Sequence, residues 1–85
     1  MRLIPSRVTR ERFGGISTMS EWRRRRAGLL PPVVTINGRN FDPEHEIEAI
    51  LAAYAAGATD DDVRTMVARQ IEERAAAAAG ATEVA

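Results

Sequence analysis

The sequence predicts a small, mainly α-helical domain carrying one β-hairpin. Apolar residues recur at helical spacing through its second half, Asn37-Gly38 separates two strand-like runs, and glycine or proline punctuates each boundary. Eighty-five residues make one domain, near the size at which a single core becomes independently stable.

Taken in order, Pro5 suits the first position of a helix, where its φ is preset and its missing N–H goes unused. Val8 and Phe13 are the apolar residues of that segment, and Gly14-Gly15 ends it. Ile16 leads into a second helix capped by Ser17 or Thr18; Thr18 and Glu21 have the spacing of a capping box. Met19 and Trp22, one turn apart, are expected to share the buried face of this helix, which stops at Gly28 and Pro31-Pro32.

Val33-Val34-Thr35-Ile36 is a β-branched run, and Arg39-Asn40-Phe41 follows the Asn37-Gly38 pair. An Asn-Gly turn between extended pieces signals a hairpin, because both turn positions need positive φ. Asp42 is the expected cap of a third helix, with Pro43 at its first position. Ile47, Ile50, Leu51 and Tyr54 then follow the i, i+3, i+4, i+7 pattern, and Gly57 closes that helix. Thr59 caps a fourth, Asp60, Asp61 and Asp62 fill its first turn, and Val63, Met66, Val67 and Ile71 form its apolar stripe. Alanines 75–79 favour helix but bury little, so fraying after about Arg74 is expected. Helix, tight glycine turn, helix, hairpin, helix, helix is the plan of a winged helix-turn-helix. On this reading residues 1–56 form that domain, and 57–85 add an acidic C-terminal helix with an alanine-rich tail.

The formal net charge of zero conceals a division. Residues 1–42 hold nine arginines against three acids, a balance of +6, whereas 43–85 hold three arginines against nine acids, −6. A basic half joined to an acidic one suggests a polyanion-binding end beside an end with another task. The basic residues are all arginine, whose planar fork suits phosphates and guanine edges.

Other classes are excluded or disfavoured. With no cysteine there is no disulfide, thiolate metal site or cysteine nucleophile. Apolar runs fall far short of a membrane span and no signal-peptide pattern opens the chain, so a cytoplasmic domain is expected. No nucleophile–base or carboxylate pair suggests an enzyme or a small-molecule substrate. The run Asp60–Asp62 lacks the alternating ligands and turn glycine of a calcium loop, and His45 has no second ligand, so neither metal nor cofactor is expected.

With Met19 and Trp22 placed inward, about 100° per residue puts Ser17, Ser20, Glu21 and Arg24 on the outer side of the second helix. A helix in the major groove contacts bases mainly from its N-terminal end, so Arg24 would fork onto guanine while Ser20 touches a base or phosphate. Thr18 belongs to the same end. Arg23, Arg25 and Arg26 would reach flanking phosphates, and Arg39 beside Asn37-Gly38 would enter the minor groove or grip its backbone. Each feature has a plainer account: an arginine-rich helix end compensates the helix dipole, and most Asn-Gly hairpins are simple turns.

Residues 3 to about 56 resemble the AlpA-type prophage regulators and the related excisionase-like winged helix-turn-helix proteins. The resemblance is carried by Arg12-Phe13-Gly14-Gly15-Ile16-Ser17, by Met19-Ser20-x-Trp22-Arg23, by Leu30-Pro31-x-Val33 and by Ile36-Asn37-Gly38-Arg39-x-Phe41. It implies a small DNA-binding protein acting at prophage or mobile-element promoters and attachment sites. Ser17, Ser20 and Arg23 match the recognition-helix positions, and Asn37, Gly38 and Arg39 match the wing. Glu21, Arg24 and Arg25 depart from the pattern, standing where members often carry apolar or aromatic residues.

The expected partner is therefore double-stranded DNA, with a second copy in a homodimer or cooperative array and a recombinase or RNA polymerase subunit as further candidates. Two alternatives stay open: an excisionase-like architectural factor for site-specific recombination, and a helical protein-interaction module that docks through its acidic helices.

Overall fold

Three antiparallel strands and four helices follow one another as β1 (Leu3–Pro5), α1 (Ser6–Arg12), α2 (Thr18–Arg26), β2 (Val34–Ile36), β3 (Arg39–Pro43), α3 (Glu44–Ala55) and α4 (Asp60–Val84). The structure, a computed structural model, describes residues 1–84, with side chains described through Gly80. The coarse plan, mainly helical with a small antiparallel sheet, is the expected one.

The sheet order is β1-β3-β2, so β3 is central. Ile36 pairs with Arg39 across the Asn37-Gly38 turn, where φ is 52° at Asn37 and 76° at Gly38. Both turn residues thus occupy the left-handed region that an Asn-Gly hairpin requires. The N-terminal strand is a correction to the sequence reading. Ile4 pairs with Asp42 and Leu3 with Pro43, so Pro5 ends a strand and precedes the first helix instead of opening it.

The same pairing corrects the start of α3. Asp42 does not cap that helix: it lies in β3 with its side chain completely buried, and Pro43 occupies the cap position without a side-chain hydrogen bond. The Glu44 N–H instead donates to the Arg2 carbonyl, at 2.8 Å.

The tight turn between α1 and α2 places Gly14 and Gly15 at φ of 86° and 77°, and the Gly15 N–H returns to the Arg10 carbonyl. Side-chain-bearing residues are strained in that conformation. Ser17 then caps α2, its Oγ accepting the Ser20 N–H at 3.0 Å. The Thr18–Glu21 capping box does not form, because the Glu21 carboxylate is engaged elsewhere. At the other candidate cap, Thr59 and Asp62 exchange hydrogen bonds reciprocally and start α4 as expected.

The apolar core joins β1, α1, the link after α2, α3 and α4. Ile4, Leu29, Leu30, Ile47, Ile50, Val63 and Val67 form its buried cluster, with Val8, Phe13, Leu51, Tyr54, Ala58 and Met66 packed against it. The expected stripe of α4 contributes Val63, Met66 and Val67, whereas Ile71 is exposed and Gln70 is buried in its place. The α4 helix also continues past Arg74 to Val84, with alanines 75–79 exposed along it. Residues 1–56 therefore share one core with α4.

Two corrections concern α2 and decide how the rest is read. Met19 is 56% exposed and Trp22 53%, so neither joins the core. Glu21 is buried instead, and the helix is turned so that Glu21, Arg24 and Arg25 face the interior.

Candidate nucleic-acid interface

A helix whose inward residues are charged needs partners for those charges, since an unpaired buried ion costs several kcal/mol. The partners come from α1 and β3. Arg25 forms a bidentate pair with Asp42, its Nη1 and Nη2 donating at 3.0 and 2.9 Å, while its Nε donates to Glu21 Oε2 at 2.9 Å. Nη1 also donates to the Pro31 carbonyl at 2.5 Å. Thr9 Oγ1 donates to Asp42 at 2.7 Å, and Arg10 donates to the second Glu21 oxygen at 2.8 Å. Burial works against the Arg25 charge, but the hydrogen bonds and charges of Asp42 and Glu21 outweigh it and hold the guanidinium above its ordinary value. Arg25 is therefore cationic at every working pH. This cluster ties the central strand of the sheet to α1 and α2.

Arg24 is engaged as well. Its Nη2 donates to the Tyr54 hydroxyl at 2.7 Å, and its guanidinium lies 5.1 Å from the Phe13 ring centroid and 5.4 Å from that of Tyr54. The Tyr54 hydroxyl in turn donates to Asp60 Oδ1 at 3.0 Å. Cation–π contact of this kind holds α2 against the end of α1 and against α3, and the Tyr54–Asp60 hydrogen bond extends the link to the start of α4.

Of the residues the sequence suggests for DNA contact, Glu21 and Arg24, expected on the outer side of α2, and Arg25, expected at flanking phosphates, thus turn inward instead. A signal for this was present in the resemblance: they occupy the positions where the family pattern carries apolar or aromatic side chains. Glu21, Arg24 and Arg25 also follow i, i+3, i+4, the spacing of a buried stripe.

The outer face of α2 is left with Thr18, Met19, Trp22, Arg23 and Arg26, all exposed. Ser17 and Ser20 sit at its N-terminal turn, the Ser17 hydroxyl donating to Ser20 Oγ at 3.1 Å. Arg26 stacks over the Trp22 ring at 5.2 Å from its centroid. Asn37, Gly38 and Arg39 are exposed at the hairpin tip. Arg39 lies three residues before Asp42, roughly 10 Å of strand, and Asp42 follows the last β2–β3 pair, so the Arg25–Asp42 pair anchors the hairpin to α2 at its base.

Folding also sorts the arginines of residues 1–42. Arg2 and Arg12 pair with Glu44, Arg12 also with Glu48, Arg7 with Glu11 and Arg10 with Glu21. Among the described residues, the side chains of Arg23 and Arg39 have no ion pair, hydrogen bond or ring contact, and Arg26 has only its stacking on Trp22. Arg69, on α4, is likewise unpaired.

A second buried pair was not anticipated. Arg74 grips Glu46 through Nε at 2.8 Å and through Nη2, and its Nη1 donates to the Pro32 carbonyl at 2.8 Å. Gln70 donates to the Glu46 carbonyl at 3.1 Å. These contacts lock α4 onto α3 and onto the link before the hairpin.

Among the described residues no group of three or more His, Cys, Asp or Glu could hold a metal ion, His45 is exposed, and no helix is long and apolar enough to cross a membrane. No protein-family model, curated protein or solved structure matches the chain.

Proposed function

We propose that this protein is a winged helix-turn-helix that binds duplex DNA, with α2 as the recognition helix and the β2–β3 hairpin as the wing. Its setting would be the one implied by the resemblance, a small regulator at prophage or mobile-element promoters. The carrying observation is the sorting of the arginines: among the described residues of the front half, Arg23 and Arg26 on α2 and Arg39 on the hairpin are exposed and have no carboxylate partner, while Arg24, which also lacks one, is held inside by Tyr54 and Phe13. Arginines spared from internal pairing on two neighbouring elements suit a phosphate backbone, and their salt-screened attraction would also steer encounter.

In this reading Arg23, one turn in from the N-terminal end of α2, reaches a base edge or phosphate. Arg26 takes a flanking phosphate, Arg39 takes the backbone or minor groove beside the wing, and Ser17, Thr18 and Ser20 supply short hydroxyl contacts. Glu21, Arg24 and Arg25 position α2 and touch no DNA.

Salt titration on a duplex selected from a random pool tests this. Three phosphate contacts give a log K against log [salt] slope of about −3. Arg23→Ala, Arg26→Ala and Arg39→Ala should each flatten it by about one unit. A slope near zero, or slopes indifferent to all three substitutions, would overturn the proposal.

A further inference from the structure

We infer that the outer face of α2 selects thymine, reading its C5-methyl group with Met19 and Trp22. The inference rests on the duplex-binding reading above and adds the base chemistry that this face prefers.

The polarity of α2 is inverted relative to an ordinary surface helix. Its charged Glu21 and Arg25 face inward, Glu21 buried and Arg25 partly so, while its two apolar side chains, Met19 and Trp22, are each more than half exposed. These two side chains and Thr18 line one shallow, almost wholly apolar notch. The notch spans the first turns of the helix, the end from which a groove-bound helix reaches base edges.

Its lining decides what it can read. A thioether and an indole face present no bidentate hydrogen-bonding fork, so guanine and adenine edges gain little there. The one apolar group in the major groove is the thymine methyl, and apolar side chains distinguish it from the other bases. Arg24 and Arg25, which could have forked onto guanine, are held inside by Tyr54, Asp42 and Glu21. Charge selects nucleic acid over an apolar protein partner as occupant. The notch lies on the same face as Arg23 and Arg26, neither of which has a carboxylate partner among the described residues. Arg26 stacked on Trp22 also steadies the indole at the notch.

The test uses the full chain and a duplex selected from a random pool, with each thymine replaced in turn by deoxyuridine, which deletes only the methyl. At one or two positions Kd should rise about fourfold, the worth of one buried methyl-sized group. Met19→Ala should bind the thymine duplex as weakly as the wild type binds the uracil duplex, and should no longer distinguish the two. Met19 is exposed, so a denaturant melt should show this variant folded. A wild type that binds with a steep salt slope yet ignores every uracil replacement overturns the thymine assignment and leaves duplex binding standing. A Met19→Ala variant weakened equally on both duplexes overturns it too, as general damage to the face. Absence of any duplex binding removes both readings together.

Discussion

The two faces of α2 carry similar residue types to opposite ends. On the inner face Glu21 and Arg25 are partnered by each other, by Arg10, by Asp42 (itself held by Thr9) and by the Pro31 carbonyl, while Arg24 is wedged against two rings. On the outer face, among the described residues, Arg23 is unpaired and Arg26 only stacks on Trp22, beside an exposed methionine. A guanidinium is thus a structural cross-link or a surface cation according to where its helix angle points it. Four consecutive arginines have no common role, because they wrap more than a full turn.

The comparison breaks most violently at Asp42. Asp42→Ala leaves Arg25 partly buried without its bidentate partner and Thr9 without its acceptor, a loss of about 3–5 kcal/mol. In a domain of ordinary marginal stability that is a large share of the total. Arg23→Ala, on the outer face, should stay within about 0.5 kcal/mol of wild type. Urea melts at neutral pH compare the two, and equal effects would contradict the division. Because the Arg25 value is raised, its contribution is complete below the ordinary arginine value and is lost only as pH rises past the raised one. Titration of Arg25 therefore adds no slope to stability at neutral pH.

Arg74→Ala comes next. It strands the Glu46 carboxylate, which is buried, and frees the Pro32 carbonyl, with an expected loss of about 1.5–3 kcal/mol. The same melts check it, and a neutral outcome would mean that α4 is held by its apolar stripe alone.

Arg24→Met sharpens the contrast in a subtler way. The Arg24 Nε is buried with no hydrogen-bond partner among the described residues, and methionine keeps the stem and a favourable contact with aromatic rings. Stability should change by less than about 1 kcal/mol, and sequence preference in duplex selection should not change. A relaxed preference would return Arg24 to the groove.

The smallest effect lies at Asp62. Its carboxylate accepts the Thr59 N–H, and that hydrogen bond holds it below its ordinary value of 3.8. A lowered value adds stability that is present above the ordinary value and lost as pH falls through the lower one. Asp62→Asn should therefore shrink the acid-side fall in stability below about pH 4, seen as converging melts of variant and parent at low pH.

Local chemistry was legible in the sequence. The Asn37-Gly38 turn, the Gly14-Gly15 turn, the Ser17 and Thr59 caps and the apolar spacing of α3 each depend on residues within a few positions, and all stand in the structure. What escaped was non-local. A three-residue strand has no periodicity to detect, and Leu3–Pro5 becomes one only by pairing with β3. Asp42 before Pro43 has the look of a cap until Thr9 and Arg25, both distant in sequence, claim it. Met19 and Trp22 have the spacing of a core pair, but a helix is oriented by whichever face its neighbours satisfy. Here Arg10 and Asp42 make the charged face the inner one.

The central claim is that the outer face of α2 and the tip of the hairpin meet duplex DNA together. Amide and indole NMR spectra of the full chain, titrated with a short selected duplex, test it most directly. The account predicts shifts concentrated in residues 17–26 and 37–39, with the Trp22 indole N–H among the strongest and the exposed face of α4 unmoved. Shifts gathered on α4 instead, or an indole signal that stays in place while DNA binds, would contradict it.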